Sequence, residues 1–252
     1  MSLSFRQSDI LLVAEQEGRV TVEGLAERFQ VTVQTIRRDL TELSEAGKLD
    51  RVHGGAVLRS GVSNIGYEER RALNHEAKTR IAERCAADIP EGSSIFMNIG
   101  TSTEAVARQL LKHKNLMVVT NNMNVANILA DNPDCQIVVA GGVLRRSDSG
   151  LVGNLAVSTI RQFKFDHAII GCSALDADGD LMDFDLQEVL VSQTIIEQAR
   201  QISLVADASK FQRTAPARIA SLSDVDMVYT DLPLPGDLHQ KCIDWNTKII
   251  EC

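Results

Sequence analysis

The sequence has few cysteines, no long apolar run and no excess of basic residues. Its five cysteines are an odd number, lie far apart and include no pair at C-x-x-C spacing, so neither a disulfide framework nor a zinc site is indicated. No stretch of eighteen apolar residues occurs, and the first residues, MSLSFRQSDILLVAEQEG, carry charges where a secretory signal needs an uninterrupted apolar run. We therefore expect a cytoplasmic protein with reduced thiols and no membrane partner.

The charge balance is also informative. The chain has 26 Lys and Arg against 34 Asp and Glu, a formal charge of −8. Because sequence-independent DNA affinity comes from cations that replace the counterions of phosphates, this sign does not suit a protein that merely adheres to nucleic acid. Any recognition of DNA must come from a few well-placed basic groups.

The hydrophobic pattern changes once along the 252 residues. Short helical segments occupy residues 1–58, whereas from about Ser94 apolar strand-like runs alternate with helical ones, as in a parallel α/β domain. Between them RSGVSNIGYEERRALNHEAK is rich in Gly, Ser, Asn and charge, which is typical of a linker that runs into a new helix near Glu76. The pattern predicts an N-terminal domain at 1–58, a linker at 59–75 and an α/β domain at 76–252.

The N-terminal domain has the periodicity of three short helices. Thr21 and Thr32 are placed to cap the second and third of them. The apolar residues at helical spacing are Ile10, Leu11, Ala14, Val22, Leu25, Ala26, Phe29, Ile36, Leu40 and Leu43. Three short helices joined by tight turns indicate a helix-turn-helix domain.

The third segment presents a polar face that is able to read DNA. Gln34, Arg38 and Thr41 lie opposite its apolar stripe, with Thr35 to one side and Arg37 to the other. Arg can bind guanine and Gln can bind adenine through two hydrogen bonds in the major groove, although an ordinary solvated helix face shows the same pattern.

The segment after this helix predicts a small hairpin. LDRVHGGAVL, residues 49–58, alternates enough to form two strands that turn at Gly54 and Gly55, with Arg51 and His53 able to meet phosphates. The candidate DNA-binding residues are therefore Gln34, Thr35, Arg37, Arg38, Arg51 and His53.

These residues resemble a known family. TIRRDLTELSEAGKLDRVHGGA is similar to the signature of the DeoR family of bacterial transcriptional repressors, whose N-terminal domain is a winged helix-turn-helix, and the preceding VTVEGLAERFQVTVQ is similar too. IPEGSSIFMNIGTSTEAVA, VTNNMNVAN and FDHAIIGCSALDADGDLMDFDLQEV extend the resemblance over nearly the whole length, most closely to members that regulate glycerol 3-phosphate metabolism. The resemblance implies a repressor of carbohydrate or polyol catabolism genes, released from its operator by a phosphorylated sugar or polyol, with glycerol 3-phosphate as the implied effector.

The first 58 residues contain seven Lys and Arg against nine Asp and Glu. Such a domain should bind non-specific DNA poorly, so its arginines serve site recognition. Affinity then requires two or more copies on one operator, which predicts a homo-oligomer, a dimer or a tetramer, with half-sites about one helical turn or a multiple apart.

A candidate phosphate loop comes after the strand predicted at 94–98. Gly100, Thr101, Ser102 and Thr103 precede a helix that begins near Glu104, and backbone N–H groups, the helix dipole and hydroxyls at such a point can hold phosphate. A plain helix cap by Thr101 or Ser102 explains the same residues. Members of the family usually have Asp where Asn98 stands, directly before this loop.

Other loops come after other strands, and loops at the carboxyl ends of parallel strands meet in one crevice. They add candidate effector-binding residues: Asn121, Asn122, Gly141, Gly142, Asp207 and Lys210. The alternatives are a plain turn at the two asparagines, a cap at Asp207 and a solvated lysine at Lys210.

This half of the chain also resembles the ribose-5-phosphate isomerase type of fold, as the family's sensor domains do, so an isomerase-like enzyme is the alternative function. The isomerase's two aspartates, its lysine and its glutamate correspond here to Ile170, Ser173, Asp183 and Ser192, so its acid and base groups are not retained. We expect a sensor and not an enzyme, without a cofactor. DADGD near Asp178 lacks the downstream acidic ligand of a calcium loop, so no metal site is expected either.

Overall fold

The computed structural model describes residues 4–17, 19–46, 48–52, 54–58, 66–234 and 236–252. Within them the chain forms a helical N-terminal unit with a small antiparallel sheet and a larger C-terminal unit built on a parallel sheet. The change of hydrophobic pattern along the sequence predicted this order. No helix among these residues is long and apolar enough to cross a membrane.

The N-terminal unit is a winged helix-turn-helix, as predicted. Its elements are α1 (Phe5–Glu17), β1 (Arg19–Thr21), α2 (Val22–Phe29), α3 (Val33–Glu45), β2 (Leu49–Val52) and β3 (Gly55–Leu58). Strand β3 pairs antiparallel with both β1 and β2. The buried core is formed by Ile10, Val13, Ala14, Val20, Val22, Leu25, Ala26, Ile36, Leu40, Leu43, Leu49 and Ala56. The periodic apolar residues thus pack the three helices against the sheet.

Two threonines cap the helices of the helix-turn-helix, as the sequence predicted. Thr21 Oγ1 accepts a hydrogen bond from the Gly24 N–H at 3.1 Å, and Thr32 Oγ1 accepts one from the Thr35 N–H at 3.2 Å. Both threonines have extended backbone angles, so each ends the preceding segment and starts a helix. Each hydroxyl satisfies one N–H group that the first helical turn cannot pair.

Replacing Thr32 by alanine is expected to lower the free energy of unfolding by about 1 kcal/mol, because an N–H group at the start of α3 loses its acceptor. Urea unfolding followed by circular dichroism measures the change. Thr32→Ser keeps the hydroxyl and is the matched control, expected to stay within about 0.5 kcal/mol of the parent protein. Equal losses in the two variants would contradict the capping role.

The hairpin of the wing depends on two glycines. Strand β2 ends at Val52, which pairs with Gly55 of β3. Gly54, in the turn between them, has φ 76°. A Cβ atom at Gly55 would lie 1.9 Å from the carbonyl oxygen of Val20, because β1 runs directly beside it. Glycine is therefore required where β3 passes β1.

The C-terminal unit alternates helices and strands. The helices are α4 (Tyr67–Ala72), α5 (His75–Ala87), α6 (Thr101–Gln109), α7 (Met123–Leu129), α8 (Asn154–Ile160), α9 (Leu186–Gln198) and α10 (Gly236–Asp244). The strands are β4 (Ser94–Met97), β5 (Leu116–Thr120), β6 (Cys135–Val139), β7 (Val143–Arg145), β8 (Gly150–Val152), β9 (Phe165–Ile170), β10 (Ala174–Leu175), β11 (Asp180–Asp183), β12 (Ala199–Val205), β13 (Ala217–Ser221), β14 (Met227–Thr230) and β15 (Lys248–Glu251). Short 3-10 helices span Leu110–Lys112, Ala208–Gln212 and Leu222–Asp224.

The main sheet is parallel. In the described residues it has the order β15-β14-β12-β9-β4-β5-β6, and all its strand pairs are parallel, which confirms the predicted parallel α/β domain. The chain builds outward from β4 to β5 and β6, then returns to β9 on the other side of β4. The order thus reverses between β4 and β9, and ligands of open α/β sheets bind outside the carboxyl ends of strands at such a point.

Both faces of this sheet are buried. Phe96 packs into one hydrophobic cluster, whereas its neighbours Ile95 and Met97 pack into another. On β9, Ala168 and Ile170 join the first cluster and Ile169 the second. Successive side chains of a strand point to opposite faces, so this alternation shows helices covering both sides and explains the unbroken apolar strand sequences.

Part of the predicted linker is helical and packs on the C-terminal unit. Residues 59–65 lie outside the described residues, but α4 falls within the range 59–75 that the sequence assigned to a linker. Tyr67 and Arg70 of this helix contact Glu104 and Asp148. The polar composition suggested a linker because these residues pair with buried charges of the C-terminal unit and not with an apolar core.

Candidate functional site

The polar face of α3 is exposed, as its periodicity predicted. Gln34, Arg37 and Arg38 are exposed, whereas Thr35 is half-buried and its hydroxyl lies 2.9 Å from that of Thr32. On the wing, Arg51 is exposed and its Nη1 donates to the backbone oxygen of Arg37 at 3.5 Å. The helix and the wing thus present their arginines on one continuous surface. His53, the remaining predicted DNA-binding residue, lies outside the described residues.

Helix α1 holds α3 through polar contacts that the periodicity did not indicate. Arg6 binds the buried carboxylate of Asp39 on α3, with Nε–Oδ2 and Nη2–Oδ1 distances of 2.5 and 3.2 Å. Gln7 donates to Glu42 at 2.7 Å, and Glu42 also accepts from Arg38 at 3.0 Å. The hydrogen bonds from Arg38 and Gln7 lower the pKa of Glu42. Through Glu42, α1 therefore steadies a side chain of the exposed face.

A cavity of about 290 Å³ opens at the switch point between β4 and β9. Its walls come from the loops after these two strands, from α4, from the turn after β7 and from the start of α9. The lining residues are Gly66, Tyr67, Arg70, Ile99, Gly100, Thr101, Ser102, Arg145, Ser147, Asp148, Gly171, Cys172, Ser173, Asp183, Phe184, Asp185, Glu188 and Lys210. Its position matches the crevice in which open α/β sheets bind ligands.

The start of α6 forms part of this cavity and is not capped by a threonine or serine. Gly100 is the N-cap residue, and among the described residues no side chain makes a capping hydrogen bond to this end. The Thr101 hydroxyl donates to the Arg70 carbonyl at 3.3 Å. The Thr103 hydroxyl lies within donating distance of the backbone carbonyls of Asn98 and Gly100, at 2.9 and 2.7 Å. The first N–H groups of the helix are thus left for an anion in the cavity.

Asn98 joins the two loops that flank the switch point. Its Nδ2 donates to the Gly171 carbonyl at 3.2 Å, and its Oδ1 accepts from the Gly171 N–H at 2.9 Å. The side chain is 2% exposed. An aspartate could not donate, and it would bury a charge in the same place. The amide of Asn98, which stands where the family usually has Asp, therefore makes both hydrogen bonds to Gly171 without adding a buried charge.

Basic side chains gather beside the uncapped helix. Arg70 and Lys210 line the cavity, and the ammonium of the buried Lys78 donates to the Arg70 carbonyl. Burial lowers the pKa of Lys78 to about 8, while Asp207 opposes the change. Burial likewise lowers the pKa of Lys210, and the nearby Arg213 adds to the effect. An anion placed here would relieve the repulsion among these cations.

A second charged group occupies another wall of the cavity. It consists of Arg145, Asp148, Asp185 and Glu188, and we call it the Arg145 cluster. Arg145 binds all three carboxylates, and Asp148 also accepts from Arg70 at 3.3 Å. The Asp148 and Glu188 side chains are only 6% and 12% exposed. The cluster thus links Arg70 on α4 to the start of α9.

Helix α4 is fixed to the cavity by a partly buried hydrogen-bond network. The Tyr67 hydroxyl donates to Glu104 at 2.8 Å, and Asn124 Nδ2 donates to Tyr67, Glu104 and the Asp148 carbonyl at 3.0, 3.1 and 3.3 Å. Burial and the bond to Glu104 raise the pKa of Tyr67 to about 12. The helix that supplies Arg70 is therefore tied to both α6 and the Arg145 cluster.

The structure brings only some of the predicted effector residues together. Gly100, Thr101, Ser102 and Lys210 line the cavity, whereas the others do not. The predicted residues outside the lining are Thr103, Asn121, Asn122, Gly141, Gly142 and Asp207. Strands β5 and β6 lie one and two places beyond β4, so the loops after them end away from the switch point.

Most of these outlying residues support the local fold. Asn122 caps α7 through bonds to the N–H groups of Asn124 and Val125, and Asp207 accepts from Asn74, Ser209 and the Ser209 N–H. Gly142 has φ 143° and lies where a Cβ would meet the Val152 carbonyl at 2.6 Å. Among the described residues, Oδ1 of Asn121 and Oδ2 of Asp207 are buried without a hydrogen-bond partner.

Sequence reasoning missed Arg70, Arg145 and the carboxylates around them. Arg145 ends β7, within the segment VVAGGVLRR whose glycines were the predicted ligand-binding residues, and Arg70 lies in the predicted linker. The pairing of Arg145 with Asp185 and Glu188 spans about forty positions along the chain. Spacing along the sequence gives no signal for such a long-range pair.

The positions that correspond to the isomerase's catalytic groups have structural roles. Ile170 and Ser192 are buried and do not line the cavity. Ser173 and Asp183 do line it, but the Ser173 hydroxyl donates to Asp183 at 2.9 Å, and the other oxygen of Asp183 accepts from the N–H groups of Phe184 and Asp185. These contacts hold the turn before α9.

Comparisons with known proteins agree along the whole chain. A model of the DeoR-like helix-turn-helix domain matches residues 6–61, and a model of the DeoR C terminal sensor domain matches residues 73–232. The chain is 45% identical over 252 residues to the Glycerol-3-phosphate regulon repressor of Escherichia coli (strain K12), with 100% of each chain covered. It is 43% identical to the repressor of the same name from Haemophilus influenzae, over 100% of this chain and 98% of that one.

A third relative and one solved structure complete the comparison. The HTH-type transcriptional repressor CsqR of Escherichia coli (strain K12) is 39% identical over 97% of this chain and 94% of its own. Ribose 5-phosphate isomerase A from Methanocaldococcus jannaschii covers 55% of both chains at 12% identity, with a TM-score of 0.41. The two family models and the full-length relatives, and not this last likeness, establish the family.

Proposed function

The chain belongs to the DeoR family of transcriptional regulators, and we propose that the cavity of its sensor domain binds a phosphorylated sugar or polyol, with glycerol 3-phosphate as the first candidate. The protein is a DNA-binding transcriptional repressor and not an enzyme. Its operator is proposed to control genes of carbohydrate or polyol catabolism. Because its target is operator DNA, we also propose a cytoplasmic location.

The uncapped N-terminus of α6, open to the cavity beside Arg70 and Lys210, is the observation that carries this proposal. Backbone N–H groups and the positive end of the helix dipole favour a phosphate, and the two cations add charge-assisted hydrogen bonds. The names of the relatives from Escherichia coli and Haemophilus influenzae indicate a regulon for glycerol 3-phosphate, which fits a ligand with one phosphate and two hydroxyl groups.

Operator recognition is assigned to the exposed face of α3 and the wing. Gln34 and Arg38 are the proposed base-reading residues, because they are exposed near the N-terminal half of a helix that is free to enter a major groove. Thr35, Arg37 and Arg51 are proposed to contact the DNA backbone or adjacent bases. His53 is proposed to contact phosphate.

Helix α4 offers a path between the two functions. It supplies Tyr67 and Arg70 to the cavity and comes after the wing and residues 59–65. A phosphate that draws Arg70 away from Asp148 would change how α4 packs on the sensor domain, and thus the position of the point at which the chain from the wing reaches α4. We propose that the effector-bound arrangement disfavours operator binding, and by linkage DNA then weakens effector binding by the same factor.

The repressor is proposed to act as a homo-oligomer, a dimer or a tetramer. The seven basic and nine acidic residues of the first 58 leave a single copy with little general affinity for DNA. Large apolar side chains exposed on the sensor domain, including Val143, Leu155 and Leu186, would favour association. Light scattering at concentrations that saturate the operator tests this, and a monomer there would contradict it.

The test of function is fluorescence anisotropy on labelled DNA from upstream of the protein's own gene and its neighbours, at one stated salt concentration. We expect tight specific binding that millimolar glycerol 3-phosphate weakens by about 5- to 150-fold. Glycerol and inorganic phosphate, each alone, are the matched controls and should have little effect. Specific binding that ignores glycerol 3-phosphate but responds to another sugar phosphate would replace the effector, and binding that ignores every phosphorylated ligand would contradict the proposed sensor.

A further inference from the structure

We propose that the Arg145 cluster selects the chemical class of the effector: it accepts ligands whose non-phosphorylated end carries neutral hydroxyl groups and rejects those with a second anionic group there. The inference rests on the proposed function, because it assumes that a phosphate occupies the α6 end of the cavity. Glu188 is the specificity-determining residue of the cluster.

The cluster engages every nitrogen of one guanidinium. Arg145 Nε binds Asp148 at 2.9 Å, Nη1 binds Asp185 at 2.6 Å, and Nη2 binds Asp148 at 2.7 Å and Glu188 at 2.5 Å. A ligand carboxylate that sought a two-pronged contact with Arg145 would have to displace one of these partners. The arginine is therefore not available as a second anion-binding group.

Three carboxylates surround Arg145, and within the part of the chain that the structure describes only Asp148 among them also binds a second cation, Arg70, so the wall still carries excess negative charge. Asp183, which also lines the cavity, adds a further carboxylate next to Glu188. A ligand carboxylate or second phosphate brought to this wall would meet like charge in a partly desolvated site. Such a contact is strongly unfavourable, whereas a neutral hydroxyl group carries no such penalty.

Glu188 also has room to accept a hydrogen bond from a ligand. Its bond to Arg145 uses Oε2, and among the described residues Oε1 has no hydrogen-bond partner. The side chain is 12% exposed and lines the cavity. A sugar or polyol hydroxyl can donate to this oxygen, but an ionised carboxylate or phosphate cannot.

The titration of Glu188 supports the same conclusion. Burial raises the pKa of Glu188 to about 7 and the adjacent Asp183 adds to the effect, whereas Arg145 opposes it. The other charged groups that line the cavity are Arg70, Asp148, Asp185 and Lys210. Because the pKa is raised, Glu188 is ionised above pH 7 and becomes neutral as the pH falls through 7. The repulsion of an anionic ligand should change in the same direction.

Two ligand pairs test the inference directly. Glycerol 3-phosphate is compared with the 3-phosphoglycerate of the same spatial configuration, in which a carboxylate replaces a hydroxymethyl group. Sorbitol 6-phosphate and 6-phosphogluconate differ in the same way and test a longer ligand. Isothermal titration calorimetry at pH 8 measures the affinities. In whichever pair binds, we expect the ligand with the neutral end to have about 100-fold higher affinity than the ligand with the carboxylate.

The variant Glu188→Gln removes the charge and keeps the shape, so the ratio within that pair should fall by about tenfold. Glu83→Gln, on the exposed face of α5 and away from the cavity, is the matched control and should leave the ratio unchanged. Thermal unfolding checks that both variants are folded. A ratio near one in the parent protein, or a ratio that Glu188→Gln does not change, would overturn the inference while the proposed function stands.

A pH series on the parent protein gives an independent measurement. The ratio within a pair should fall by up to about tenfold between pH 8 and pH 6, and this dependence should be absent from Glu188→Gln. The phosphate groups titrate in the same range in both members of a pair, so their effect cancels in the ratio. A ratio that does not change with pH would overturn the role of Glu188. If none of the four ligands binds, and other sugar phosphates do not bind either, the proposed function fails and this inference fails with it.

Discussion

Replacing Arg38 by alanine is expected to weaken operator binding by roughly 5- to 150-fold, the equivalent of about 1–3 kcal/mol of lost contact to a base. The side chain of Arg38 is 82% exposed, and its contact to Glu42 leaves other guanidinium donors for DNA. No core residue is disturbed, so the fold and the sensor domain should remain intact. Fluorescence anisotropy with operator and scrambled DNA measures the loss.

The control for this variant is Arg161→Ala. Arg161 is exposed beyond the end of α8 in the sensor domain, so its removal changes the net charge equally without touching the reading face. If Arg38 reads a base, its loss weakens operator binding more than binding to scrambled DNA. Equal weakening for both DNAs would assign Arg38 to a phosphate, and unchanged affinity would show that it does not face DNA at all.

The second large effect is expected at the candidate phosphate loop, residues 100–103. Thr101→Phe should weaken effector binding by more than about 100-fold and abolish release from the operator, because a ring at this position fills the space beside the first N–H groups of α6. Operator affinity without effector should stay unchanged. Calorimetry with the effector and anisotropy with operator DNA measure the two quantities separately.

Thr101→Ser is the matched control because it keeps the hydroxyl that donates to the Arg70 carbonyl. It should bind the effector within a few fold of the parent protein and still release DNA. A Thr101→Phe protein that responds fully to the effector would show that the phosphate binds elsewhere.

The fold was largely predictable, because local patterns specify it. The apolar stripes of the N-terminal segments, the caps at Thr21 and Thr32 and the turn at Gly54 each depend on residues close together in the sequence. Continuous apolar strands between helical segments likewise indicate a parallel sheet that is buried on both faces. The boundary near α4 could not be predicted, since the helix is held by contacts such as Tyr67 to Glu104, 37 positions apart.

The candidate effector site was predictable only in part. The loop at Gly100–Ser102 has a local signal, because small and hydroxyl residues precede a helix directly after a strand. Asn121 and Gly141 carried a similar signal but come after strands that lie away from the switch point. The order of strands in the sheet is set by pairing between strands far apart in the sequence. Loops with similar local motifs therefore lie at different distances from the switch point.

By itself, the sequence determined the winged helix-turn-helix, the parallel α/β class and the family, because periodicity, caps and contiguous motifs are encoded by near neighbours. Only the tertiary structure decided which loops meet at the β4–β9 crevice and that α4 packs on the C-terminal unit. It also decided that Arg145 gathers Asp148, Asp185 and Glu188 into one wall. The reason is physical: electrostatic pairing acts through space, and chain separation does not indicate which charges folding will bring together.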